Sequence, residues 1–209
     1  MDYINRRNFI KSSAAIGTVS IAGCLDPGET VNEMDRPIIG DEDAEFELHV
    51  FEDYSCPACQ DFVLNHKSQI EDNYIDTGVA QLHHYDYPIP VNRRWSTELA
   101  NVSRAVKDLE DSETFFEFTN ILYENQGDMS VSIIRDAAEN VGVSDIDYVV
   151  ESGSASRYQP VIDDDYDEGQ AREIGGTPTV YILGGPFEEP EALPAYTADV
   201  VSNVLDSNM

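Results

Sequence analysis

The sequence predicts an α/β fold in which a helical insertion separates two strand-containing halves. Strand-forming residues at 46–51 lead directly into apolar side chains repeated at helical spacing. A second apolar and β-branched run, 179–183, follows a glycine pair far downstream. Between residues 93 and 173 almost nothing alternates as a strand would, and apolar residues recur at intervals of three and four. These patterns predict one sheet built from two segments of the sequence, with a set of helices between those segments along the chain.

The charge balance limits the classes of partner. The 209-residue chain has 41 acidic and 12 basic residues, a net charge of −29, and 41% apolar residues. Such a surface repels phosphate backbones and anionic membranes, which excludes nucleic-acid binding and polybasic membrane binding. The acidic residues are spread along the chain and few basic residues are lysines, a pattern typical of halophilic proteins. Molar salt shortens the Debye length to about 3 Å and screens their repulsion, so we expect the domain to unfold as salt is removed.

Residues 1–24 have the composition of an export signal. Basic residues precede a mildly apolar run, 14–22, that is shorter than the ~20 residues needed to span a bilayer. The segment Arg6–Lys11, RRNFIK, resembles a twin-arginine export motif. Ile21–Cys24, IAGC, resembles a lipobox, in which the cysteine is lipidated after cleavage. The alternatives are a generic basic signal and an unmodified Cys24.

The next segment, 25–43, is predicted to be a flexible linker. It is polar and acidic and carries turn-forming residues, as expected of a tether. We therefore expect a folded domain over residues 44–207, held at the outer cell surface through lipid at Cys24.

The cysteine pair Cys56-Pro57-Ala58-Cys59 lies where the predicted strand gives way to the predicted helix. Pro57 suits the first helical turn, because its missing N–H would have no partner there. The free N–H groups and the dipole at a helix N-terminus stabilise a thiolate, so Cys56 is the candidate nucleophile. Cys59, one turn later, is the candidate resolving thiol.

Three other interpretations of the pair are open. A structural disulfide closing so short a loop contributes only about 2 kcal/mol. Zinc bound by the two cysteines with His83 and His84 is awkward, because neighbouring residues of a strand point to opposite faces. The third is coincidence.

A second motif, Gly175-Gly176-Thr177-Pro178, precedes the later strand. Alone it would suggest an ordinary loop. Together with the cysteine pair it resembles the thioredoxin superfamily, in which a cis-proline turn lies opposite the cysteines. The resemblance implies a cis bond between Thr177 and Pro178, and a substrate strand held beside Cys56 by backbone groups of Thr177.

The long separation of the two motifs resembles the DsbA family of exported disulfide oxidoreductases, whose thioredoxin fold contains a helical insertion, here about residues 93–173. Helices are predicted at 95–109, 115–122, 131–141 and 156–173, after a strand at 79–85. An edge strand near Phe187 and a closing helix at 196–205 complete the predicted domain. Phe51–Ser55, FEDYS, also resembles the approach to the motif in this family.

One position departs from the family. Relatives often bury a carboxylate six residues before the first cysteine, and this chain has Val50 there. Glu52 and Asp53 could replace it in proton transfer to Cys59, but we expect both to be solvated. His49, His66, His83 and His84 are expected to be structural or on the surface, and Asp163–Asp165 to lie on a solvated helix face.

The resemblance implies a thiol–disulfide oxidoreductase that exchanges disulfides with exported proteins and uses neither a metal nor an organic cofactor. Oxidation is the expected direction, and reduction and isomerisation are the alternatives. Its redox partner is unidentified. The alternative is a surface lipoprotein with a thioredoxin-like fold that acts as a binding or chaperone module, with Cys56 and Cys59 permanently oxidised.

Overall fold

The computed structural model describes residues 29–89 and 91–209. The predicted export signal, including Cys24, lies outside the described residues. Within them, the predicted α/β fold with a helical insertion is confirmed. Five strands form one mixed sheet in the order β1-β3-β2-β4-β5. The strands are β1 (Ile38–Ile39), β2 (Phe46–Glu52), β3 (Ala80–Asp86), β4 (Thr179–Gly184) and β5 (Phe187–Ala192).

The central strand β2 pairs in parallel with β3 and antiparallel with β4. Successive residues of a strand point to opposite faces. Leu48, Val50 and Glu52 therefore share one face of the sheet, and Glu47, His49 and Phe51 share the other. The first face belongs to the main hydrophobic core, whereas Phe51 packs into a smaller aromatic cluster on the second.

Helix α1 begins between the two cysteines, at Pro57, and alternates between α-helical and π-helical hydrogen bonding along its length. It begins with an α-helical segment, Pro57–Phe62, followed by π-helical turns at Val63–Lys67 and Glu71–Ile75 around a short α-helical segment, Ser68–Ile70. The C-terminal helix α7 (Ala198–Asn208) packs against α1. Both helices contribute side chains to the main core.

Five helices make up the insertion: α2 (Trp95–Leu109), α3 (Ser112–Glu124), α4 (Val131–Asn140), α5 (Ile146–Ala155) and α6 (Gln159–Ala171). Helix α5 was not predicted, and the helix expected from residue 156 begins at Gln159 instead. The reason is tertiary packing. Gly153 of α5 lies so close to α2 that a Cβ at this position would be 2.5 Å from a methyl of Val102, and this contact outweighs the weak helix propensity of the segment.

Part of the predicted linker is folded. Ile38 and Ile39 pair with β3, Val31 N–H donates to the Arg157 carbonyl, and Arg36 binds Asp165 at 2.6 Å. The boundary expected at residue 44 therefore differs from the structure, in which the preceding segment already packs on the domain. Among the described helices, none combines the length and the apolar character needed to cross a bilayer.

A chain of buried charges joins the insertion to the sheet. Arg104 of α2 is 1% exposed and binds Asp86 of β3 at 2.6 Å and Asp165 of α6 at 2.5 Å. Asp165 also accepts the backbone N–H of Asp86. The expectation that this aspartate lies on a solvated helix face is wrong, because its carboxylate is the partner of two arginines.

Replacing Arg104 by Met should lower the free energy of unfolding by about 3 kcal/mol or more, because two buried carboxylates each lose one of their two cationic partners. Urea denaturation in molar salt measures the change. Arg135→Met is the matched control, since Arg135 pairs with Asp147 at the surface, and it should cost less than about 1 kcal/mol. Equal losses in both variants would contradict the role assigned to the buried chain.

Candidate active site

Cys56 occupies the junction between β2 and α1, as predicted. It has an extended backbone at the N-cap position, and Pro57 follows as the first helical residue. A short turn leads from the strand to this position, closed by a 2.9 Å hydrogen bond from the Cys56 N–H to the Asp53 carbonyl. The sulfur of Cys56 therefore sits at the end of the helix where N–H groups lack partners along the chain.

The structure brings the cysteine pair and the distant turn together. The sulfur of Cys56 lies 3.2 Å from the carbonyl oxygen of Thr177, across 121 residues of sequence. The Thr177–Pro178 bond is cis, as the family resemblance implied. Cys56 is 6% exposed and Cys59 is 0% exposed, and both are free thiols. A partner therefore reaches Cys56 more readily than Cys59.

The two thiols have opposite electrostatic environments. A hydrogen bond from Cys59, together with N–H groups at the start of the helix, lowers the pKa of Cys56 from 9.0 to about 5, although burial opposes this shift. Burial raises the pKa of Cys59 well above its ordinary value, and the charge of Glu52 raises it further. At neutral pH Cys56 is therefore a thiolate that accepts a hydrogen bond from a protonated Cys59.

Glu52 is a buried carboxylate near the resolving thiol. Its Oε2 atom lies 3.1 Å from Nδ1 of His84, whereas its Oε1 atom is buried without a hydrogen-bond partner. The hydroxyl of Tyr123 is also buried without a partner. Burial raises the pKa of Tyr123 well above its ordinary value, and charges on Glu52 and Cys59 act on it in the same direction. The three side chains are therefore close enough to influence one another's ionisation.

His84 holds Glu52 in place and links it to the buried charges of the insertion. Its second nitrogen, Nε2, lies 3.1 Å from Asp86, which is the partner of Arg104. Although burial disfavours the cation, the carboxylates of Asp86 and Glu52 raise the pKa of His84. Arg104 and His84 in turn hold the pKa of Asp86 at about 2 despite its burial. A continuous row of alternating charges thus runs from helix α2 to Glu52.

Asp53 shapes the turn before the cysteines. Its carboxylate accepts the N–H groups of Ser55 and Ile89, each at 2.7 Å, and the side chain is 1% exposed. Burial raises the pKa of Asp53 to about 6. The backbone N–H of Asp53 also contacts the sulfur of Cys59 at 3.4 Å. Asp53 therefore fixes the path of the chain around both cysteines.

The expectation that Glu52 and Asp53 are solvated is wrong. The signal that could have corrected it is the alternation of β2, since Glu52 shares a face with Leu48 and Val50, both buried. Sequence analysis also missed the roles of His84 and Tyr123, which come from β3 and from the insertion. His83 and His84 point to opposite faces, so the zinc set with Cys56 and Cys59 does not form: His84 faces Glu52, whereas His83 stacks on His49.

We expect the rate of Cys56 alkylation by iodoacetamide, measured in molar salt, to rise with pH with a midpoint near 5. In Cys59→Ala the midpoint should move upward by more than one pH unit, because the first cause of the lowered pKa is the hydrogen bond from Cys59. Asp61→Asn, which removes a partly exposed carboxylate of the same helix, should leave the midpoint nearly unchanged. A wild-type midpoint near 8.5, the value of a free thiol, would contradict this description of the site.

The fold agrees with the comparisons to known proteins. A family model described as thioredoxin matches residues 32–199. The probable disulfide bond formation protein D of Bacillus cereus is 24% identical over 182 residues, which cover 81% of this chain and 82% of that protein. The disulfide bond formation protein D of Bacillus subtilis is 25% identical over 152 residues, covering 70% and 67%.

Solved structures show the same architecture. Oxidised BdbD from Bacillus subtilis superposes with a TM-score of 0.73 at 22% identity, covering 83% of this chain and 92% of that one. Wolbachia pipientis alpha-DsbA1 gives 0.71 at 18% identity, covering 83% and 90%. The names of the curated relatives confirm the enzyme class predicted from the sequence, a thiol–disulfide oxidoreductase. With most of its length matched by the family model, the chain belongs to the thioredoxin family.

Proposed function

We propose that this protein is an exported oxidase of protein thiols, which passes the Cys56–Cys59 disulfide to extracytoplasmic proteins. The observation that carries the proposal is the lowered pKa of Cys56, at a helix N-terminus beside Cys59 and next to the Thr177–Pro178 turn. A thiolate stabilised in this way favours the reduced form of the pair at neutral pH. The disulfide is correspondingly a stronger oxidant, which supports oxidation as the direction of exchange.

The exchange proceeds in two steps. A client thiolate attacks the sulfur of Cys56, the Cys56–Cys59 bond breaks, and Cys59 leaves with the electron pair and takes up a proton. A second client thiolate then attacks the client sulfur of the mixed disulfide, and Cys56 leaves as a thiolate. The client loses two electrons and gains a disulfide, and the protein is left as a dithiol. An unidentified redox partner accepts those electrons and restores the disulfide.

Cys56 suits both steps. In the first, it is the more exposed of the two sulfurs, so the client reaches it rather than Cys59. In the second, its low pKa makes it a good leaving group. The carbonyl of Thr177, 3.2 Å from the sulfur, lies where the backbone of an extended client would pair, and Pro178 shapes that turn.

Glu52 is assigned the transfer of the Cys59 proton. The chain lacks a carboxylate at residue 50, but Glu52 lies on the same face of β2, two residues nearer the cysteines. Its Oε1 atom is buried without a partner, and its charge raises the pKa of Cys59. A buried carboxylate here can accept the proton when Cys59 attacks a mixed disulfide, and return it when Cys59 leaves.

Two variants test the exchange. Cys59→Ala should trap a mixed disulfide between Cys56 and a client, since no resolving thiol remains. For this test the client thiol is first converted into an activated mixed disulfide, which the Cys56 thiolate attacks. Glu52→Gln should slow the attack of Cys59 on a mixed disulfide about tenfold or more, because no carboxylate remains to accept the Cys59 proton. Rapid acid quench and mass spectrometry follow both species, and Asp61→Asn serves as the control for loss of a surface carboxylate.

The alternative function is a binding or chaperone module whose disulfide never exchanges. Failure of oxidised wild-type protein to transfer its disulfide to a reduced client would favour this alternative. A normal rate in Glu52→Gln, with transfer intact, would contradict only the role of Glu52.

For location, we propose export by the twin-arginine route and anchoring by lipid on Cys24, supported by the RRNFIK and IAGC segments. The strongly acidic composition supports a halophilic protein that works at molar salt.

Cys24→Ser should release the folded protein from the membrane fraction into the medium, because the lipid attachment site is lost. Immunoblotting of cell and medium fractions measures the distribution. Cys56→Ser, which leaves the leader intact, should stay with the membrane fraction. Retention of Cys24→Ser at the membrane would contradict the anchor.

A further inference from the structure

Two histidines and a glutamate meet on the face of the sheet that faces away from Glu52. Glu47 and His49 belong to β2, and His83 belongs to β3. Their ligand-capable atoms all lie within 4.8 Å of one another. We propose that these three side chains bind one divalent cation of the Zn²⁺ class, with water as the fourth ligand.

The distances suit a tetrahedral ion. Oε2 of Glu47 lies 2.8 Å from Nε2 of His49 and 3.8 Å from Nε2 of His83. Ligand atoms around tetrahedral Zn²⁺ are about 3.3 Å apart, given bonds of about 2.0–2.1 Å. These two separations lie on both sides of this value, and the three ligand atoms all lie within 4.8 Å of one another, so a bound ion requires side-chain rotations that bring them to this spacing. The Glu47 side chain is 33% exposed, which gives water and the ion a route to the site.

The strand register creates the cluster. Parallel pairing sets His49 directly beside His83, and their rings stack with centroids 4.8 Å apart. Glu47 lies two residues before His49 and so shares its face. Nε2 of His83 is buried and has no hydrogen-bond partner. An unsatisfied buried nitrogen costs free energy, and a bound cation would satisfy it.

The hydrogen bonds around His49 also suit a metal. The hydroxyl of Tyr85 lies 3.1 Å from Nδ1 of His49. When Nε2 binds the ion, Nδ1 carries the proton and can donate it to this hydroxyl, which orients the ring.

Two arginines oppose the cation and make a specific test possible. The charges of Arg36 and Arg172 act on His49, the charge of Arg36 acts on His83, and NH1 of Arg172 lies 3.2 Å from Nδ1 of His49. A guanidinium only donates hydrogen bonds, so Arg172 must turn away when Nδ1 becomes protonated. It already pairs with Glu168 at 2.6 Å, which provides an alternative position.

This site is separate from the proposed redox function and departs from the expectation that the chain holds no metal. That expectation considered His83 and His84 only with the cysteines, whereas the cluster uses His49 and Glu47 instead. A bound ion would link β2 to β3 on the face of the sheet opposite Glu52.

The test uses the full chain, carrying Cys24→Ser and with Cys56 and Cys59 oxidised, so that no thiol binds the probe. Zn²⁺ is titrated in competition with a chromophoric chelator in molar NaCl, which screens weak binding to the acidic surface. We expect one tight equivalent. His83→Ala and Glu47→Gln should each weaken it at least about tenfold, while His66→Ala, which removes a histidine from another surface, should leave it unchanged.

Arg172→Gln should bind Zn²⁺ more tightly than the parent protein, because the opposing donor is removed, a result that a merely structural role would not produce. Co²⁺ should give the intense visible absorption of a tetrahedral complex in the parent and lose it in Glu47→Gln, which keeps the fold because Glu47 is partly exposed. Equal Zn²⁺ affinity in the parent, Glu47→Gln and His83→Ala would overturn the proposal, whatever the outcome of disulfide exchange.

Discussion

The hydrogen bond that the Cys59 thiol donates to the Cys56 thiolate is the interaction on which the rest of the site depends. It is the first cause of the lowered pKa of Cys56, and the partial positive charge at the start of α1 adds to it. Burial of Cys59 keeps that thiol protonated, so that it donates rather than competes for the charge. The two sulfurs are one helical turn apart, and Cys59 is the more deeply buried. This difference in burial therefore makes Cys56 the nucleophile and Cys59 the resolving thiol.

The insertion supports this arrangement through buried electrostatics rather than through packing alone. Arg104 of α2 neutralises Asp86, Asp86 neutralises His84, and His84 positions Glu52 beside the cysteine end of β2. A charge buried in the core needs a partner, and here the partners come from two parts of the chain, the helical insertion and the sheet. The helical insertion thus contributes to the ionisation of the redox site while Cys56 remains on the thioredoxin core.

The sequence predicted the features that depend on local pattern. The position of Cys56 follows from a strand that runs into a helix, whereas the Thr177–Pro178 turn was implied by the resemblance to the thioredoxin superfamily. The features it did not predict depend on register or on contacts between helices. The pairing of His49 with His83 requires the alignment of β2 with β3, and α5 forms because Gly153 packs against α2. The burial of Glu52 lies between these cases, since strand alternation already indicated it.

The dependence of the reduction potential of the Cys56–Cys59 pair on pH, measured against glutathione in molar salt, tests the central claim most directly. Each proton taken up with two electrons changes the potential by about 30 mV per pH unit. If Cys56 is a thiolate above pH 5 and Cys59 stays protonated, the slope should be about 30 mV per pH unit from pH 5.5 to 8 and about 59 mV per unit below pH 4.5. A slope of about 59 mV per unit across the whole range would mean that Cys56 is an ordinary thiol. It would contradict the lowering of its pKa by the hydrogen bond from Cys59.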